Sequence, residues 1–333
     1  MRSPGVRIAV LGATGALGGE VLAALDASTL RIAEVVPVAT DRSLGQDIEF
    51  QGEIYAVEAR PPRLRGFDLV FCCAPPEASL DLVREALKAG VLCIDCSGAL
   101  TASEEVPVRV AALPASAGDE GAPAIATPAG PELAWSLVLA PLHRAAGVRR
   151  VVGSVLEAAS VAGRLGIEAL SADSLALFNP QEQRDPTDAS RPLAFDCHPA
   201  VGSVDEDGST AHESRIAPVL RRLLGGEIAV AISAVQVPAF VGQASLLAVE
   251  TQQPLDAKQA EDLLSRAPGV ELWEQDPEGP SLRAVAGRDV VLVGRVRRDP
   301  STPHGLLLWA VADALRLAAA NAVELAAARL QLH

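Results

Sequence analysis

The stretch Arg7 to Leu25, RIAVLGATGALGGEVLAAL, constrains the fold more than any other, because it reads as a buried strand, a glycine turn and the start of a helix. Ile8, Val10 and Leu11 form a short apolar run, Gly12, Gly15 and Gly18 follow at three-residue intervals, and Val21, Leu22 and Leu25 resume at helical spacing. Each glycine has its own task. Gly12 turns the end of the strand, Gly15 lets the backbone approach a pyrophosphate, and Gly18 lets the helix lie close to the sheet. The unpaired N–H groups of the first helical turn, around Ala16 and Leu17, then attract the anion. A glycine-spaced loop alone can be no more than a tight turn. Here it follows a strand and opens a helix, which points to dinucleotide binding.

The second strand, Val35 to Ala39, ends at Thr40, Asp41, Arg42 and Ser43, where such folds meet the adenosine ribose. Asp41 suits the 2′-hydroxyl of NAD, whereas Arg42 with Ser43 suits the 2′-phosphate of NADP. Residues 48–57 read as a hairpin. Asp68 to Cys73 is the next buried strand, Ala74-Pro75-Pro76 leads into a helix that Gly90 ends, and Val91 to Asp95 is a further strand. Repeated strand and helix units predict a parallel sheet with right-handed crossovers.

A chain of 333 residues with 49% hydrophobic content exceeds one ordinary domain. After a short strand near Ala124, Pro131 suits the first turn of a helix carrying Leu133, Leu137 and Val138. Residues 149–160 read as a strand, 163–170 as helix and 174–191 as a polar excursion. Residues 212–224 read as one helix, 229–238 and 245–250 as strands, 256–266 as helix, 289–298 and 305–311 as strands, and 312–330 as a long alanine-rich helix.

The net charge of −14 would repel phosphate backbones and anionic lipid, so neither nucleic acid nor a membrane is an expected partner. No apolar run is long enough to span a bilayer, no leader opens the chain, and the expected location is the cytoplasm. The five cysteines suggest no disulfide scaffold. Cys93-x-x-Cys96 lacks a second pair for zinc, and no metal site is expected. Cys72 and Cys73 are adjacent on a strand and face apart, as do Cys197 and His198. His143, His212, His304 and His333 stand alone and read as capping or solvated residues.

Taken together, the motifs resemble the aspartate-semialdehyde dehydrogenase family, an amino-acid biosynthesis family, along nearly the whole chain. Gly12-Ala13-Thr14-Gly15 with Ala16, Leu17 and Gly18 matches its phosphate loop, Arg42-Ser43 its NADP-phosphate position, and Asp95-x-Ser97 the segment bordering the nicotinamide. Val293 to Asp299, Trp309, Ala312-Asp313 and Asn321-Ala322-Val323 match its closing strand and helix. The resemblance implies an α/β chain with a Rossmann-like N-terminal domain, residues 1–127 with 310–333. A second α+β domain, 128–309, would be of the aspartate-semialdehyde and glyceraldehyde-3-phosphate dehydrogenase type and would build a homodimer. It also implies NADP as cofactor, with NAD as the alternative, and adds Ala74 and Ser97 to the cofactor contacts.

The catalytic positions depart from the family. Its cysteine nucleophile falls on Gly130, its orienting glutamine on Glu157, its substrate arginine on Gln236 and its general-base histidine on Gln243. Glu213 and Arg215 alone echo its charged substrate helix. The expectation is a dinucleotide-binding homologue without thioester chemistry, a pseudoenzyme with an unidentified small-molecule ligand. The alternative is an active NADP-dependent oxidoreductase, either aspartate-semialdehyde dehydrogenase-like or with a changed, non-thioester substrate in which Glu157 serves as acid.

Overall fold

The structure is a computed structural model and describes residues 5–59, 64–115, 119–179 and 191–331. The chain forms two compact units, residues 1–129 with 315–333 and residues 130–314.

In the first unit, β1 (Val6–Leu11), α1 (Ala16–Asp26) and β2 (Ile32–Val38) precede a hairpin of β3 (Asp47–Phe50) and β4 (Glu53–Ala56). Then come β5 (Leu69–Cys72), α2 (Pro76–Ala89), β6 (Leu92–Asp95) and β7 (Ala124–Ala126). Five strands form one parallel sheet in the order β2-β1-β5-β6-β7. Ile8, Val10, Leu69, Phe71 and Ile94 are fully buried in it, as befits strands covered on both faces. The C-terminal helix, Ala314–Gln331, joins this core through Ala319, Ala322, Val323, Leu325 and Ala326. Asn321 fixes it by accepting from the Ala111 N–H at 2.8 Å and donating to the Arg109 carbonyl at 3.3 Å.

The second unit runs α3 (Pro131–Ala146), β8 (Val148–Glu157), α4 (Gly163–Phe178), α5 (Ala211–Ser214), α6 (Ile216–Leu224), β9 (Ala229–Gln236) and β10 (Gln243–Thr251). It continues with α7 (Ala257–Leu264), β11 (Val270–Leu272), α8 (Leu282–Val285), β12 (Val291–Asp299) and β13 (Gly305–Ala312), after which the C-terminal helix is α9. Its mixed sheet has the order β11-β12-β13-β10-β8-β9. The helix α3 is buried along most of its length, with Trp135 seated over β8, where a Cβ on Gly153 would stand 2.4 Å from the indole. Trp135 also donates through Nε1 to Ser245 Oγ at 2.9 Å. This seat fixes the start of α3, where Gly130 and Glu132 lie.

Two sequence expectations need correction, and two short elements were not expected. The single helix over 212–224 is two, broken at Arg215, because Pro218 is accommodated only in the first turn of a new helix, where its missing N–H has no intrahelical partner to lose. The polar excursion over 174–191 is helical as far as Phe178, and residues 180–190 lie outside the described residues, as does His333. The short β11 and α8 carried no periodic signal. Among the described residues, no helix is long and apolar enough to cross a membrane.

Candidate functional site

In the first unit the glycine loop has the geometry of a phosphate cradle. Gly12 has φ +81°, and a Cβ there would stand 2.7 Å from the Ala74 nitrogen, so the loop runs against the turn between β5 and α2. A Cβ on Gly18 would stand 2.1 Å from the Gly12 carbonyl oxygen. The helix can therefore begin where it does only because position 18 is bare. Gly15 is different, since its φ of −75° is ordinary and only the Gly12 oxygen, at 3.1 Å, faces its missing Cβ. No side chain caps α1, which leaves the N–H groups of its first turn, at Ala16, Leu17 and Gly18, for an anion. A cleft of about 440 Å³ lies here, lined by Gly12, Thr14, Gly15, Thr40, Ala74 and Pro75 among others.

The remaining cofactor candidates divide. Thr14 Oγ1 and Ser43 Oγ stand 2.9 Å apart, and Ser43 is buried, so its hydroxyl ties the glycine loop to the end of β2. Arg42 and Asp41 are exposed on the 3₁₀ turn beside it. Ser97 turns inward and donates its N–H and hydroxyl to Asp95 Oδ1 at 2.9 and 2.5 Å, while Asp95 Oδ2 accepts from the Leu100 N–H at 2.7 Å. The buried Asp95 thus shapes the loop after β6, a role its sequence position did not reveal.

The cysteines pair across strands. Cys72 Sγ lies 3.5 Å from Cys93 Sγ, and Cys73 meets Cys96, so each half of the C-x-x-C looks to a different partner. Contact with the neighbouring thiol and burial hold Cys72 and Cys73 well above the usual thiol range, which makes both poor nucleophiles. Cys197 is exposed, and His198 Nε2 stands 3.2 Å from the Pro192 carbonyl oxygen.

In the second unit, the four residues expected from the resemblance to mark the catalytic positions, Gly130, Glu157, Gln236 and Gln243, come together at one end of the mixed sheet. Gln243, Glu157 and Gln236 are register partners across β10, β8 and β9, so their side chains leave the sheet on one face. Gly130 lies at the start of α3 with φ +57° and ψ −134°, and the space at its missing Cβ faces Gln243 Oε1 at 3.5 Å and Glu132 Oε2 at 3.7 Å. Glu132 Oε1 accepts from Arg215 Nε at 2.5 Å. Burial nevertheless pushes the Glu132 carboxyl above its ordinary pKa, against the opposing pull of Arg215 and His212.

His212 is the correction at this site. It does not stand alone, because Nε2 meets Glu157 Oε1 at 3.0 Å. Glu213 is structural: with Thr210 it forms the capping box of α5, and its Oε1 accepts from the Ala234 N–H on β9 at 2.8 Å. The Thr-x-x-Glu spacing of that box was visible in the sequence and locates the turn that presents His212. His143 Nδ1 accepts from the Val148 N–H at 3.0 Å, a local capping role.

Comparison with known proteins agrees across both units. Residues 7–144 match the model of the semialdehyde dehydrogenase NAD binding domain, and residues 139–317 match that of the semialdehyde dehydrogenase dimerisation domain. The chain is 32% identical to the aspartate-semialdehyde dehydrogenase of Aquifex aeolicus over 97% of both chains. It is 30% identical to a protein of Azotobacter vinelandii named USG-1 protein homolog, again over 97% of both. The crystal structure of aspartate semialdehyde dehydrogenase II from Vibrio cholerae, complexed with ASA, superposes with a TM-score of 0.92 at 30% identity, covering 99% of each chain.

Proposed function

The chain belongs to the semialdehyde dehydrogenase family, and from that premise we propose that it is a dinucleotide-binding homologue of aspartate-semialdehyde dehydrogenase that does not carry out reductive dephosphorylation of aspartyl phosphate. Gly130 carries the proposal. Where the resemblance asks for a nucleophilic thiol there is no side chain, and the backbone at φ +57° is one that residues with a Cβ rarely adopt. Glu157, Gln236 and Gln243 replace the amide, guanidinium and imidazole that would orient, bind and deprotonate a substrate. An anionic acyl phosphate would meet carboxylates instead.

The residues of the first unit fit a bound dinucleotide. Gly12, Thr14, Gly15 and the first turn of α1 would hold its pyrophosphate, and Arg42 favours NADP by pairing with the 2′-phosphate. When bound, NADP supplies hydride chemistry. A homodimer follows from the dimerisation domain and is supported by Leu165, Leu175, Leu177 and Phe178, all exposed on α4. The five cysteines are free, as suits the cytoplasm.

A second reading, an oxidoreductase acting on a ketone, imine or alkene without a thioester, is favoured by one contact, the pair Glu157 Oε1 and His212 Nε2 at 3.0 Å, which can share a proton for delivery to a substrate. Consumption of NADPH with a panel of carbonyl compounds separates the two readings. The main proposal is tested with purified protein: calorimetry should detect NADP, and phosphate-dependent NADPH formation from aspartate semialdehyde should stay at background. Turnover within a hundredfold of about 10 s⁻¹, an ordinary enzyme value, would overturn it.

A further inference from the structure

Three polar atoms around the start of α3 are buried with no partner among the described residues: Glu132 Oε2 and both amide atoms of Gln243, Oε1 and Nε2. Gln243 is 1% exposed and Glu132 3%. Buried polar groups are normally satisfied, and three together at one place point to something that belongs there. The neighbouring groups cannot easily turn to them, because Arg215 is held on Glu132 Oε1 and His212 on Glu157 Oε1.

Glu132 Oε2 and Gln243 Oε1 flank the space at Gly130, and apart from its chain neighbours no other atom of the described residues lies within 4 Å of the missing Cβ. Two oxygens facing one space call for a small group that donates in several directions. Charge narrows the choice. Glu132 faces the space with Arg215 paired to its other oxygen, and Glu157 is the register neighbour of Gln243, so carboxylates outnumber the guanidinium here.

We propose that this pocket binds the primary ammonium group of a small ligand, which donates to Gln243 Oε1 and Glu132 Oε2 while Gln243 Nε2 donates to a hydroxyl or carbonyl oxygen of the same molecule. The ligand class is an amino alcohol or an amino amide. The proposal rests on the reading of this pocket as a binding site without thioester chemistry.

The test uses the full-length protein and three probes differing at one end: 2-aminoethanol, ethane-1,2-diol and glycolate, at matched ionic strength. Thermal denaturation and calorimetry should show 2-aminoethanol binding with a dissociation constant of about 0.1–10 mM, within reach of so few atoms. The diol and glycolate should shift nothing. Gln243→Leu and Glu132→Gln should each weaken the amine at least tenfold, and circular dichroism reports whether each variant is folded. If Gln243→Leu does not fold, Glu132→Gln decides. Equal responses to the amine and the diol, no response at 50 mM amine, or undiminished affinity in the folded variants would mean that the pocket holds water only. Because no turnover is read, a failure here leaves the functional proposal standing, and dehydrogenase activity would overturn that proposal without deciding the amine result.

Discussion

Nε2 of His212 stands 3.0 Å from Oε1 of Glu157, joining two side chains 55 positions apart and largely withdrawn from water. When the carboxylate is ionised it only accepts, and the contact then takes the imidazole form with a proton on Nε2. The pair presents a carboxylate where a neutral amide would be expected from the family resemblance, with a dedicated donor to keep it there.

Removing one partner leaves the other buried and unsatisfied. His212→Ala is expected to lower the unfolding free energy by about 1–3 kcal/mol, while the double variant His212→Leu with Glu157→Leu should recover much of that loss. Urea unfolding at pH 7 measures both. Equal stability of wild type and His212→Ala would show that the contact contributes nothing.

The raised pKa of Glu132 makes a signed prediction. Burial favours the protonated form, so the folded state holds this proton more tightly than the unfolded chain, whose carboxyl titrates at about 4.3. The stability it contributes is complete below that value and is lost as pH rises through the raised folded value. Glu132→Gln should remove the decline, so wild-type stability minus variant stability falls as pH rises above the ordinary carboxyl range. A difference that rises with pH would mean that Arg215 outweighs burial.

Local chemistry made the cofactor half legible. The glycine spacing, the buried strands and the alanine-rich final helix each depend on neighbours in sequence, so their pattern survives without the fold. The pocket half was legible only by position. The partnership of His212 with Glu157 depends on β9 packing beside β8 and on α5 being held to β9 through Glu213, and none of this follows from periodicity. Continuous apolar spacing hid the break at Arg215, although Pro218 marked it. The thiol pairs escaped notice because parallel register, not sequence spacing, sets Cys72 beside Cys93.

Two glycines should separate folding from binding. Gly15→Ala meets only the Gly12 oxygen, at 3.1 Å, and keeps an allowed φ, so stability should stay within about 1 kcal/mol while dinucleotide affinity falls at least about tenfold. Gly18→Ala would press its Cβ onto the Gly12 carbonyl and should cost about 1–3 kcal/mol or more in stability. Thermal unfolding and NADP calorimetry on both variants read the contrast. Unchanged affinity in Gly15→Ala would remove this loop from the binding site.

Arg42 should set cofactor preference. Ser43 is engaged with Thr14, which leaves the exposed guanidinium as the group able to recognise a 2′-phosphate, with Asp41 beside it opposing. Hydrogen bonds to charged groups contribute roughly 1.5–3 kcal/mol, so Arg42→Ala should weaken NADP by about ten- to a hundredfold. NAD affinity should hardly change. If both cofactors weaken equally, the residue supports the turn rather than the phosphate.

Restoring a cysteine should not restore the family reaction. At φ +57° and ψ −134°, Gly130→Cys places a Cβ on a backbone disfavoured for it, a strain of about 1–3 kcal/mol. Its thiol would then sit beside Glu132 and Gln243, where a neighbouring carboxylate disfavours the thiolate and no imidazole stands at position 243 to take the proton. Loss of a nucleophile or its base commonly costs on the order of 10⁶ in kcat, and such losses are not additive, so repairing one leaves the unit disabled. Phosphate-dependent NADPH formation from aspartate semialdehyde should therefore remain at background in Gly130→Cys. The fourfold variant Gly130→Cys, Glu157→Gln, Gln236→Arg and Gln243→His should show a trace above background, because amide, guanidinium and imidazole return together. Activity in the single variant comparable to the fourfold one would mean that the missing thiol was the sole barrier and that the carboxylates around it are no obstacle to an anionic substrate.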